Sequence, residues 1–175
     1  MAHEKKVVFI VANEGYQPIE YNLPKKLLEQ AGITVLTASN RLAPAIAKDG
    51  STAAVDYLIK DIPTDTINGL FIVGGPGTME NLNTPDLHHI LKKALTKKIN
   101  IGAICIAPRI LAEAGALTNK QATGWDEDNE LTGIFKKYNV HYKQQDVVRD
   151  ENIVTATGPE AAREYGQQII SMLGQ

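Results

Sequence analysis

The chain has 175 residues, 43% of them hydrophobic, enough to bury the core of one compact domain, and residues 1–175 read as a single unit. Eighteen Lys and Arg against twenty Asp and Glu give a net charge of -2, without the basic excess of a nucleic-acid binder. One cysteine excludes an intramolecular disulfide, and no apolar run approaches the ~18 residues of a membrane span.

The N-terminal stub MAHEKK is charged and leads straight into an apolar strand, with no leader-like segment, which predicts a cytoplasmic protein. That first strand is VVFIVA, Val7 to Ala12, a β-branched and aromatic run that suits a strand buried on both faces. From Pro18 the apolar residues Ile19, Leu23, Leu27 and Leu28 recur at helical spacing, Pro24 bends the first turns, and Ala31-Gly32 closes the helix. Ile33 to Ala38 reads as a second strand. Leu42 to Asp56, with Pro44 and Asp49-Gly50, reads as a small β-hairpin excursion. Leu70 to Val73 is a third strand, ending in Gly74-Gly75-Pro76-Gly77 and followed by a helix over Leu82 to Lys98. Ile99 to Ile104 forms a fourth strand, and Ala107 to Ala114 a helix stopped by Gly115. Beyond it the pattern predicts a helix over Glu127 to Tyr138, strands over Asp146 to Arg149 and Ile153 to Ala156, and a terminal helix from Pro159 to Leu173. This alternation implies a doubly wound α/β sandwich, whose ligands bind outside the carboxyl ends of its parallel strands.

Three strand ends carry chemistry. Glu20 falls in the first turn after strand one, the glycine loop follows strand three, and Cys105 follows strand four. A lone cysteine is most often a small buried hydrophobe. Cys105, however, sits at a strand-to-helix junction with Gly102 and Ala103 before it and Ala107-Pro108 fitting the next helical turn, the outline of a nucleophile elbow. The helix N-terminus and loop amides predict a thiol that ionises below its ordinary value of about 8.5, provided Glu20 stays protonated and donates to the sulfur. The glycine loop matches neither a Walker loop nor GxGxxG, so its amides are read as an oxyanion hole facing the thiol.

Four stretches in matching order, GYQPIEYNLPKKLLEQAGITV, FIVGGPGTMENL, AICIAPRILAEAGAL and VTATGPEAAREYGQQII, resemble the ThiJ/PfpI superfamily from about Lys5 to Leu173. The resemblance implies a flavodoxin-like, mostly parallel sheet sandwiched between helices, of the class I glutamine amidotransferase type, in a homodimer or larger homo-oligomer. By the same resemblance Cys105 matches the elbow nucleophile and Glu20 the buried acid that hydrogen-bonds it. Gly74 and Gly75 match the loop beside them, and the Ile106 amide a further oxyanion donor. Members of the protease-like branch follow the cysteine with histidine, where this chain has Ile106. Other members place a histidine across the pocket, where the ATGW stretch brings Trp125; with Pro108 it is expected to line the pocket and restrict entry to small substrates. His3, His88, His89 and His141 lie elsewhere, and the adjacent pair on a helix does not share a face for metal binding. A Cys-His-acid triad is therefore incomplete. The resemblance implies glyoxalase- or deglycase-type action of Cys105 on small reactive carbonyls. A redox sensor whose cysteine is oxidised to a sulfenate or sulfinate is the alternative reading, and peptide hydrolysis a distant third. The expected partners are a small electrophile or oxidant and a second copy of the chain, with no cofactor, metal, nucleic acid or membrane.

Overall fold

A computed structural model describes residues 4–174, so His3 lies outside the described residues. In chain order the elements are β1 (Lys6–Ile10), β2 (Glu14–Tyr16), α1 (Pro18–Gln30), β3 (Thr34–Ser39), β4 (Ala45–Ala47), β5 (Thr52–Ala53) and β6 (Tyr57–Leu58). They continue with β7 (Gly69–Ile72), α2 (Thr78–Leu82), α3 (Pro85–Thr96), β8 (Asn100–Ile104), α4 (Pro108–Glu113) and β9 (Gln121–Ala122). The last are α5 (Leu131–Lys137), β10 (His141–Tyr142), β11 (Val147–Asp150), β12 (Ile153–Ala156) and α6 (Ala162–Met172).

Seven strands form the central sheet in the order β11-β12-β8-β7-β1-β3-β6, parallel throughout except for β11, which runs antiparallel to β12. The continuous apolar runs follow from helices on both faces. Val7 and Phe9 point into a layer shared with Tyr21 and Leu28 of α1 and Tyr165 and Ile169 of α6. Val8 and Ile10 point into the opposite layer, with Leu87 and Leu91 of α3 and Ile110 and Leu111 of α4. The flavodoxin-like sandwich is thus the fold of this chain. Its excursion is a β4–β5 antiparallel hairpin that joins β2 in a small second sheet, against the segment leading into Glu20.

Local chemistry moved several boundaries. The helix expected over Leu82 to Lys98 starts only at Pro85, because the Thr84 hydroxyl accepts from the Leu87 amide and proline occupies the first helical position. The helix expected from Glu127 begins at Leu131, since the Asp126 carboxylate accepts the Leu131 amide at 2.8 Å and holds Glu127 to Glu130 as a turn. Two short pairings, β3 with β6 and β9 with β10, have too few residues to show periodicity.

The strand order fixes the place of a site. β1 has β3 on one side and β7 on the other, so successive connections leave it in opposite directions. The crevice at that reversal, outside the carboxyl ends of β1 and β7, is where this topology binds ligands.

Candidate functional site

Cys105 closes β8, whose pairing with both β7 and β12 sets where the strand ends. Its φ of 63° lies in the left-handed region, a conformation that costs a residue with a side chain roughly 1–2 kcal/mol. Two external hydrogen bonds hold it there. Its N–H donates to the Ala156 carbonyl at 2.9 Å, and its own carbonyl accepts from the Trp125 N–H at 2.8 Å. The sulfur is left half-buried at the mouth of the crevice.

Glu20 reaches the same point from the first turn of α1 and is fully buried. Its Oε2 accepts the Gly74 N–H at 2.9 Å, while Oε1 has no hydrogen-bond partner among the described residues. The Gly74 amide is therefore committed to the carboxylate, and of the two expected loop donors only that of Gly75 faces the sulfur. A side chain at Gly74 has no room: a Cβ there would stand 2.5 Å from the Cys105 Cβ and 2.6 Å from Glu20 Oε2. Gly75 has a φ of 126°, open only to glycine, and its loop is tied to α1 by the Gln17 N–H donating to the Gly74 carbonyl at 2.8 Å.

Burial dominates the electrostatics. It raises the Glu20 carboxyl to about 7, against the Gly74 amide, the neighbouring thiol and the charge of Lys48. Burial, then the charge of Glu20, pushes the Cys105 thiol up to about 12, against the Ile106 and Gly75 amides. The expectation of a low thiol value is thus corrected. α4 is only six residues long and has no side-chain cap, and its amides do not outweigh a carboxylate beside a desolvated sulfur. The two groups are best treated as one acid that loses its first proton near 7 and its second near 12. Between those limits the pair holds one proton and one negative charge.

Trp125 is half-buried, and its backbone is bonded to the elbow carbonyl. Gly124, just before it, also packs on the elbow: a Cβ there would lie 3.2 Å from the Cys105 carbonyl oxygen and 3.3 Å from the Pro108 ring. Pro108 occupies the first position of α4 and is buried against that glycine. Arg109, which the sequence reading passed over, is only 5% exposed. Its guanidinium sits 5.4 Å from the centre of the Trp125 ring, donates to the Trp125 carbonyl at 3.3 Å and pairs with Asp128 at 2.7 Å. The signal was a cation at the start of the mostly apolar run PRILA and the acidic run Asp126-Glu127-Asp128 downstream, since a buried charge needs a partner. His88 of α3 is bonded to Asn83, which precedes that helix, His89 is exposed beside it, and His141 is exposed on β10. None belongs to the Cys105–Glu20 constellation. Among the described residues there is no group of three His, Cys, Asp or Glu placed to hold a metal, and no helix long and apolar enough to cross a membrane.

Comparison with known proteins agrees with this fold. The family model of the DJ-1/PfpI family matches residues 5–172. An uncharacterised protein of Methanocaldococcus jannaschii is 30% identical over 169 residues, covering 96% of this chain and 82% of its own. A glutathione-independent glyoxalase of Caenorhabditis elegans is 26% identical over 174 residues, covering 99% of this chain and 91% of its own. Among solved structures, a ThiJ/PfpI domain protein from Brachyspira murdochii superposes with a TM-score of 0.91 at 22% identity, over 98% of both chains. Drosophila melanogaster DJ-1beta superposes with a TM-score of 0.87 at 24% identity, over 98% of this chain and 92% of that one.

Proposed function

Since the chain belongs to the DJ-1/PfpI family, we propose that it uses Cys105 to detoxify small reactive carbonyls by glyoxalase- or deglycase-type chemistry. The observation that carries the reading is the buried pair itself, a thiol and a carboxyl that share one proton near neutral pH. The likeness to a nematode glyoxalase over nearly the whole chain supports the same class.

With a 2-oxoaldehyde, the Cys105 sulfur adds to the aldehyde carbon and forms a C–S bond. The Glu20 carboxylate takes the thiol proton as the carbonyl electron pair moves to oxygen, and passes it to that oxygen to give a hemithioacetal. The Glu20 carboxylate then removes the proton from that carbon, and the resulting enediol is reprotonated at the neighbouring carbon, giving a thioester of the 2-hydroxy acid. Water cleaves the thioester, releasing the hydroxy acid and restoring the thiol and the Glu20 carboxylate. The Gly75 and Ile106 amides hold the sulfur as its charge changes, and the half-buried site admits only small electrophiles.

Consumption of methylglyoxal by the purified protein, followed by appearance of lactate, tests the reading. Loss of at least about a hundredfold of the rate is expected in Cys105→Ala and Glu20→Gln alike. A rate in Cys105→Ala equal to that of the wild type refutes it. The amides at the sulfur also favour a second reading, in which peroxide oxidises the thiolate to a sulfenate and is itself reduced to water. Mass spectrometry after mild peroxide, with stoichiometric oxygen addition at Cys105 in a protein inactive on methylglyoxal, would select that role.

A further inference from the structure

The two hydrogen bonds that keep Cys105 in its left-handed conformation are not equally secure. Its N–H donates to the Ala156 carbonyl, an extension of the β8–β12 ladder that the sheet itself fixes. Its carbonyl accepts from the Trp125 N–H, and Trp125 lies between β9 and α5 in a turn outside any regular element. An irregular segment near the surface opens more readily than a central strand, so a donor placed there needs an anchor.

The anchor comes from the helix that the elbow itself starts. Arg109 stands four residues after Cys105, in the first turn of α4, and meets Trp125 twice: it donates to the Trp125 carbonyl at 3.3 Å and packs 5.4 Å from the ring centre. Trp125 is therefore gripped by its N–H, its C=O and its ring, all three from the 105–109 segment. The far side of the guanidinium pairs with Asp128 at 2.7 Å and Glu130 at 3.7 Å. Other bonds, from the Leu131 amide to Asp126 and from the Glu130 amide to Asp128, shape the turn without tying it to the elbow. Exchanging a buried ion pair for apolar residues of similar volume is often neutral for stability, so stability alone does not account for a cation that is 5% exposed. A planar fork does account for it, since it can meet a carbonyl, a carboxylate and an aromatic face at once. Charge is not the route to the sulfur, whose proton affinity is set by burial, Glu20 and the Ile106 and Gly75 amides.

We propose that Arg109 is a positioning residue for the elbow: it holds the Trp125 N–H on the Cys105 carbonyl and thereby keeps the sulfur aimed into the crevice. The inference deepens the reading of Cys105 as the reactive group and rests on it, but its structural half is tested without turnover.

The test compares wild type with Arg109→Met, which keeps the apolar stem, and with Arg109→Lys, which keeps the charge and carries the test should the methionine variant not fold. Amide hydrogen exchange resolved by heteronuclear NMR reads the Trp125 N–H directly. It should exchange at least about tenfold faster in either variant, beyond any change at Val8 and Phe9 in β1. The α-carbon chemical shift of Cys105, which reports its backbone conformation, should move in the same spectra. An unchanged Trp125 exchange rate in a folded variant overturns the proposal. So does an increase no greater than that at Val8 and Phe9, which marks a general loss of stability. With methylglyoxal as substrate, kcat should fall at least about tenfold while KM stays, because orientation of the nucleophile and not binding is lost. Faster Trp125 exchange with full kcat also overturns it. A wild type that does not turn over methylglyoxal counts against the carbonyl chemistry, and the exchange result and the Cys105 shift then decide.

Discussion

Glu20→Gln isolates the energetic consequence of burying a carboxyl at the site. In the fold this group is raised from 4.5 to about 7, chiefly by burial; in the unfolded chain it is solvated and keeps its ordinary value. The folded state therefore holds the proton more tightly. Stability from this source is complete below about pH 4.5, falls as pH climbs toward 7, and stays reduced by a constant amount above it. The gap between the two values corresponds to ~3 kcal/mol, at about 1.4 kcal/mol per tenfold, and a fully buried group leaves no solvent screening to discount it. Glutamine keeps the shape, retains an oxygen to accept the Gly74 N–H, and carries no charge to desolvate. Urea unfolding of both proteins in a Cys105→Ser background at about pH 5 and about pH 8 measures the effect, because the one group coupled to Glu20 is then removed and the other titrating groups cancel in the comparison. The advantage of Glu20→Gln over wild type should grow by roughly 2–3 kcal/mol across that interval. A difference that does not change with pH would refute the reasoning, since it would mean that Glu20 is as well solvated in the fold as out of it.

In Glu20→Gln the Cys105 thiol should also ionise at lower pH than in wild type, because the neighbouring charge is gone while the Ile106 and Gly75 amides remain; the pH profile of alkylation by iodoacetamide reads this directly, and coincident profiles would show that Glu20 does not act on the sulfur. Gly74→Ala should lose about 1–3 kcal/mol of stability, from the methyl that would stand 2.5 Å from the Cys105 Cβ, and an unchanged melting temperature would contradict so close an approach. A homodimer is expected, with Ile19, Leu42 and Ile46, which are 51%, 64% and 45% exposed around the hairpin, as its apolar contact. Light scattering at micromolar concentration should show the dimer mass for wild type and a smaller one for Ile46→Asp; a monomeric wild type excludes the expectation. Purified protein should not cleave an unstructured peptide, and steady cleavage abolished in Cys105→Ser would show that an amine leaving group finds a proton source at this site.

What could be read from the sequence was whatever depends on long apolar runs and on residues with an obligatory backbone role. VVFIVA, LFIV and NIGAI declare themselves as central strands because both faces are covered, and once they are parallel their ends must bring Glu20, Gly74-Gly75 and Cys105 together. The short pairings β6, β9 and β10 were silent, since two residues have no period and form only because the rest of the fold presents an edge. The thiol was misjudged for a related reason. A helix N-terminus is visible in sequence, but the depth of desolvation that outweighs it depends on how closely the glycine loop and α1 close over the sulfur. Arg109 lay in plain view beside Pro108, yet its role follows from the turn of residues 125–130, which no local pattern announces.

The two walls of the crevice differ in their freedom to change. On the glycine-loop side backbone meets backbone: a methyl on Gly77 would stand 1.9 Å from the Glu14 carbonyl oxygen, and one on Gly74 would overlap both Cys105 and Glu20. That wall is closed to side-chain variation. Across from it, Glu127, Asp146 and Glu160 project from turns into solvent, where substitutions usually shift stability by no more than about 0.5 kcal/mol. Divergence, whether natural or by directed evolution, is thus channelled to one rim, where ligand preference can drift through many sequences while the thiol–carboxyl pair stays fixed. A library confined to residues 127, 143–146 and 160 would sample that freedom with the least damage to the fold, since Asp126 anchors the Leu131 amide and Asp128 and Glu130 pair with the buried Arg109.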